Sequence, residues 1–128
     1  RIGDEPEDGK WLYHNILGVH DSSVTKVSYN SYGWWYVENG VVNFNFYGLA
    51  PNAWGWWYCE GGLVNFSFTG LVRQYGCWWY VKEGRVDFDY TGTATNENGT
   101  WYVKNGMVDF SFSGTYAGHT YSYGRQVQ

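Results

Sequence analysis

Apolar and polar residues alternate in short runs along most of this chain, and turn-forming pairs interrupt the runs at fixed intervals. Gly33-Trp34-Trp35-Tyr36-Val37-Glu38 leads into Asn39-Gly40 and then Val41-Val42-Asn43-Phe44-Asn45-Phe46. The arrangement returns from Gly55 to Phe68, from Cys77 to Tyr90 and from Gly99 to Phe112, with Trp35, Trp57, Trp79 and Trp101 spaced 22 residues apart. A period of two predicts strands. Asn39-Gly40, Gly61-Gly62, Glu83-Gly84 and Asn105-Gly106 predict two-residue hairpin turns, because both central residues of such a turn take positive φ. The resulting register pairs Glu38 with Val41, Val37 with Val42, Tyr36 with Asn43, Trp35 with Phe44 and Trp34 with Asn45.

This register sorts each repeat into two faces. One carries Trp35, Val37, Val42, Phe44 and Phe46 and is wholly apolar, so it is the predicted core, with Trp35, Trp57, Trp79 and Trp101 buried. The other carries Trp34, Tyr36, Glu38, Val41, Asn43 and Asn45. Segments such as Gly48–Trp54 are expected to carry the chain from one hairpin to the next. Because a lone hairpin is marginal in water, each apolar face must be covered by a neighbouring repeat. The predicted fold is all-β, with tandem 22-residue β-hairpin repeats forming a solenoid-like array.

Residues 33–120 make four tandem hairpin repeats, and 11–32 read as a degenerate N-terminal capping repeat, with Asn15, His20 and Ser22 where core residues stand elsewhere. The polar opening over 1–10 is expected to be disordered or a linker. Residues 121–128 read as the truncated start of a further repeat, so the parent chain is expected to carry more of them.

Composition sharpens this picture. Aromatic residues make up 23% of the 128 residues, which calls for a core of rings and valines suited to sheets. A net charge of −4 without clustered Lys or Arg argues against nucleic acid. The sequence contains no apolar run approaching the roughly 20 residues of a spanning helix, so no membrane insertion is expected. Cys59 and Cys77 replace the Val and Gly of other repeats and lack the spacing and partners of a zinc site; free, buried thiols are expected, since they sit at opposite ends of their strands, with a disulfide between adjacent repeats as the alternative.

The tandem pattern Gly-Trp-Trp-Tyr-Val-Lys/Glu-Asn-Gly-x-Val-Asp/Asn-Phe resembles the cell-wall-binding repeats of Gram-positive surface proteins, including those of gut Firmicutes. Choline-binding and glucan-binding repeats and the receptor-binding tails of clostridial toxins share that pattern. The resemblance covers residues 33–115 well and 11–32 weakly. It implies a β-hairpin solenoid and an extracellular setting, on the bacterial surface or secreted. In choline-binding repeats a Trp after the Gly that ends the second strand helps to form an aromatic cage. Here Leu49, Leu71, Thr93 and Thr115 hold that place, so the resemblance does not extend to choline.

The candidate ligand-binding residues are the outer row Trp34, Trp56 and Trp78 beside Tyr36, Tyr58, Tyr80 and Tyr102, rimmed by Asn43, Asn65, Asp87 and Asp109. Flat rings flanked by hydrogen-bonding groups suit sugars, and Trp and Tyr equally suit a protein interface. A row that recurs with the fold period also suits packing between repeats. Trp54 and Tyr75, which vary between copies, are loop candidates. Asp87 and Asp89 share a strand face and Asp109 is the next copy's equivalent, but each position holds Asn or Ser in another repeat, and His14, His20 and His119 have no ligand spacing, so neither catalysis, a metal nor a cofactor is expected. Two functions fit: a non-catalytic module presenting an aromatic face to a cell-wall or other glycan, or an adhesin-type module binding a host protein such as an immunoglobulin or mucin.

Overall fold

A computed structural model describes residues 1–127, and among these there is no helix. Two compact units divide the chain, Arg1–Phe66 and Ser67–Gln128. In the first unit, β1 (Lys26–Asn30), β2 (Gly33–Glu38) and β3 (Val41–Val42) form one antiparallel set, and β4 (Gly48–Asn52), β5 (Gly55–Glu60) and β6 (Leu63–Val64) form the next. The sets join where Leu63 of β6 faces Trp35 of β2. The second unit repeats the plan with β7 (Gly70–Gln74), β8 (Cys77–Lys82) and β9 (Arg85–Val86), then β10 (Gly92–Asn96), β11 (Gly99–Lys104) and β12 (Met107–Val108). A shortened set closes it: β13 (Gly114–Tyr116), β14 (His119–Ser122) and β15 (Arg125–Val127). Gln128, the last residue of the further repeat expected over 121–128, lies outside the described residues.

The predicted turns are present: Asn39 and Gly40, Gly61 and Gly62, Glu83 and Gly84, and Asn105 and Gly106 all have positive φ. Glu38 faces Val41 and Val37 faces Val42, as the register requires. Beyond that the predicted hairpin ends early. The second strand is only two residues long, because the Asn43 side-chain oxygen accepts the Asn45 N–H at 2.9 Å and bends the chain away. Trp35 and Phe44 are therefore not strand partners. The longer hairpin lies upstream, in the segment expected to be a connection: Gly48–Asn52 pairs with Gly55–Cys59 over five positions.

Burial follows from this change. Val37, Val42, Cys59, Val64, Val81, Val86, Val103 and Val108, the small residues flanking each tight turn, are fully or nearly buried, as are Val27, Leu49 and Ala50. Trp35, Trp57, Trp79 and Trp101, expected to be buried, are only half-buried: Ser28, Ala50, Val72 and Ala94 pair with them from the preceding strand, but the strand after each tight turn ends too early to pair with them. Ile2, in the opening segment expected to be disordered or a linker, is 0% exposed, packs with Val37 and Val42, and donates its N–H to Tyr29 O at 2.8 Å.

Successive repeats are locked by the second turn residue. Gly62 donates its N–H to Phe46 O at 2.9 Å and accepts the Tyr36 N–H at 2.7 Å. Gly106 donates to Tyr90 O at 2.9 Å and accepts from Tyr80 at 2.7 Å, and Gly124 repeats this with Phe112 and Tyr102. The backbones meet so closely that a Cβ on Gly106 would lie 2.6 Å from Asp87 O.

Gly76, in a loop with φ +74, would meet nothing within 4 Å. Gly76→Ala and Gly106→Ala should each cost about 1–2 kcal/mol of left-handed strain. Gly106→Ala should cost about 1–3 kcal/mol more through overpacking. Urea denaturation followed by circular dichroism measures the difference, and equal stability losses would contradict the lock.

Burial pushes the Cys59 thiol up from its ordinary 9.0 to about 12. Its folded-state pKa is raised, so its contribution to stability is complete below about pH 9 and is lost as pH rises through about 12. Cys59→Val, which restores the residue found in the other repeats, should be less sensitive than the parent chain across that window. Matching pH profiles of melting temperature for the two proteins would refute this.

Candidate functional site

The half-buried tryptophans are held by their own hairpin loops. Asn30, Asn52 and Asn96 each accept two N–H groups through the side-chain oxygen: a backbone N–H two residues on and an indole N–H five residues on. The indole bonds are Trp35 at 3.0 Å, Trp57 at 2.8 Å and Trp101 at 2.9 Å. Where Gln74 replaces Asn, its backbone carbonyl takes the Trp79 indole at 2.9 Å. With the indole N–H so engaged, each of these rings offers a ligand only its apolar surface.

Against these rings pack the outer tryptophans. Trp78 meets Trp101 edge-on at 4.8 Å between ring centroids and Phe110 at 5.7 Å, while Trp101 and Phe110 are 5.7 Å apart. In the first unit Trp11 makes the same corner with Trp35 at 5.0 Å and Phe44 at 5.7 Å. Trp34 and Trp57 both pack against the buried cluster of Val27, Tyr36, Ala50, Cys59 and Val64, and Trp34 lies 6.3 Å from Trp54. Phe44, Phe66, Phe88 and Phe110 remain 42–49% exposed. They were expected in the core, but each follows an Asn or Asp that turns the chain outward; Asp89 and Ser111 donate their N–H groups to Asp87 and Asp109 at 3.0 Å.

The tyrosines of the candidate row are placed differently. Tyr36 is 9% exposed, stacked on Phe46 at 4.0 Å and covered by Cys59 and Val64 of the next repeat. Tyr80 stacks on Tyr90 at 3.9 Å, and Tyr102 packs on Phe112 at 4.2 Å. Tyr58 is half-buried, and desolvation, reinforced by the Glu60 carboxylate, holds its hydroxyl above its ordinary pKa. Trp56 is half-buried, while Trp54 and Tyr75 are 65% and 73% exposed.

The amides and acids expected as a hydrogen-bonding rim largely close turns. A bond from the Ser111 hydroxyl lowers the Asp109 pKa, and Asn43 and Asp87 also cap their own bends. Among the described residues no group of His, Cys, Asp or Glu is arranged to hold a metal. No helix there is long and apolar enough to cross a membrane. Cys59 is a buried free thiol and Cys77 a half-buried one.

The row of Phe residues was missed as surface, although the signal was present. Asn43-x-Asn45, Asp87-x-Asp89 and Asp109-x-Ser111 are side-chain-capped turns that interrupt the alternation. Asn98 and Arg125, beside Trp78 and Trp101, had no signal in the repeat pattern.

Asn96→Ala should cost about 1–2 kcal/mol through the lost and unpaired bonds and shift the emission of the freed Trp101 indole. Unchanged stability together with unchanged Trp101 fluorescence would show that the tether carries no weight.

A family profile described as the choline-binding repeat matches residues 24–43, 45–65, 67–87 and 89–109, and the chain belongs to that family. Solved structures similar to it include choline binding protein F from Streptococcus pneumoniae, at 22% identity and a TM-score of 0.41, covering 97% of this chain and 39% of that one. CbpF in complex with ipratropium gives 22% identity and 0.43 over 97% and 38%. CbpJ from Streptococcus pneumoniae TIGR4 gives 19% and 0.30 over 99% and 48%. This chain thus spans less than half the length of each. No curated protein matches it.

Proposed function

We propose that this member of the choline-binding repeat family is a non-catalytic binding module of a bacterial surface or secreted protein. Its ligand is a cell-wall or other glycan, gripped by the rings at the junctions between repeats. The observation that carries this reading is the recurring corner of two tryptophans and a half-exposed phenylalanine, as in Trp78, Trp101 and Phe110. Exposed phenylalanine recurring with the repeat offers apolar area at each junction, and the tied indole N–H leaves ring surface as the means of contact. The C–H face of a sugar ring matches such a surface. Weak equivalent sites in series gain avidity without new contacts.

Of the candidate residues, Trp34, Trp56, Trp78 and the loop Trp54 stay in this site. Tyr36, Tyr58, Tyr80 and Tyr102 act beneath it as packing, and the phenylalanine row takes their place. The loop rings Tyr32, Trp54 and Tyr75 are exposed and differ in kind from repeat to repeat, which favours the second reading, a host protein partner.

Tryptophan fluorescence titration with solubilised cell-wall polysaccharide, choline chloride, and mucin or immunoglobulin separates these ligands. Polysaccharide should bind. Phe110→Ala should weaken it by about 2 kcal/mol, as loss of an interface hot spot does, with little change in melting temperature. Tyr47→Ala, an exposed ring away from the corners, should bind as the parent does. Saturation by choline alone would replace the glycan, and full binding by Phe110→Ala would remove the corner from the site.

A further inference from the structure

Two of the aromatic corners differ in what surrounds them. At Trp11 and Trp35 the loop supplies Tyr32, whose ring stacks on Trp11 at 5.8 Å, and Leu63 faces Trp35 from the next repeat with its tip over Gly33. The corner is filled by the chain's own apolar groups. Three periods on, at Trp78 and Trp101, Asn98 stands in the place of Tyr32, and Arg125 faces Trp101 as Leu63 faces Trp35. The Arg125 side chain lies over Gly99, where a Cβ would come within 2.8 Å of its Nε. Trp78, Glu97, Asn98, Trp101 and Arg125 line an open cavity of about 380 Å³, within the about 300–1,000 Å³ typical of small-molecule sites.

We propose that this cavity is the subsite for an acidic sugar, a pyranose ring bearing a carboxylate. The proposal rests on the ring-stacking function above and assigns its substrate class at this corner. The chemistry divides between the lining groups. Trp78 and Trp101 offer ring faces to the sugar's C–H surface. The Asn98 amide both donates to and accepts from hydroxyls, and Glu97 accepts from them. Arg125 is exposed and forms no ion pair among the described residues, with Glu97 or any other acid. Its guanidinium fork is therefore open to a carboxylate, which it matches in a bidentate manner.

The test titrates the full chain with tetragalacturonic acid and with its methyl ester, which keeps the rings and removes the charge. The indole N–H signals of Trp78 and Trp101 are followed by NMR. The acid should bind at least ten-fold more tightly than the ester. Arg125→Gln should bring the acid down to the affinity of the ester and leave the ester unchanged. Equal affinities for acid and ester, or equal weakening of both by Arg125→Gln, would overturn the acidic-sugar assignment while leaving ring stacking intact. If neither oligomer moves either indole signal, the stacking function fails as well, and this assignment with it.

Discussion

Within each unit a repeat is fixed to the one before it by a buried turn glycine, and most of the architecture follows from that contact. A two-residue hairpin turn needs positive φ at both central positions. Here the second residue also presses on the backbone of the preceding repeat, so close that a Cβ at Gly106 would collide with Asp87 O. The glycine's N–H and C=O both bond to the preceding repeat, so the turn becomes the seam. Because that seam is backbone, it tolerates Asn, Gly or Glu at the first turn position while demanding glycine at the second.

The seam explains why the core is small. Valines beside each turn are drawn against the neighbouring repeat, and the ring of Tyr36 is closed over by Cys59 and Val64. Further from the seam the strand after each turn stops at a side-chain-capped bend, before it can pair with the tryptophan of its own repeat. Rings fill that gap in edge-on contacts, with each inner indole N–H tied to the head of its own loop. A half-buried indole without this bond would leave its donor short of partners. The Asn that opens the loop therefore satisfies both the turn and the ring.

The same arrangement separates framework from surface. Groups near the seam are shared by every repeat, whereas residues at the loop tips and on the short strands can change without disturbing it. Tyr32 and Leu63 fill one corner, while Asn98 and Arg125 leave another open and charged. One backbone plan can thus carry corners of different chemistry along a single chain, which suits a binding module better than a catalytic one.

Much of the fold was legible in the sequence. The period, the all-β class, the four turns and the pairing of Glu38 with Val41 follow from turn chemistry and alternation, which are local properties. Two things were not local. Periodicity alone could not show that Gly48–Asn52 is a strand rather than a connection, since its partner and its burial come from the hairpin it forms. Nor could it show which face of a repeat is covered: Tyr36 and Phe44 exchanged their expected places because the next repeat lies over one and a capped bend lifts the other into solvent. The sequence by itself determined the repeat, its class and its turns. The tertiary structure decided which rings are buried and brought Arg125 to Trp78, because burial and proximity depend on how repeats stack, and no single repeat encodes that.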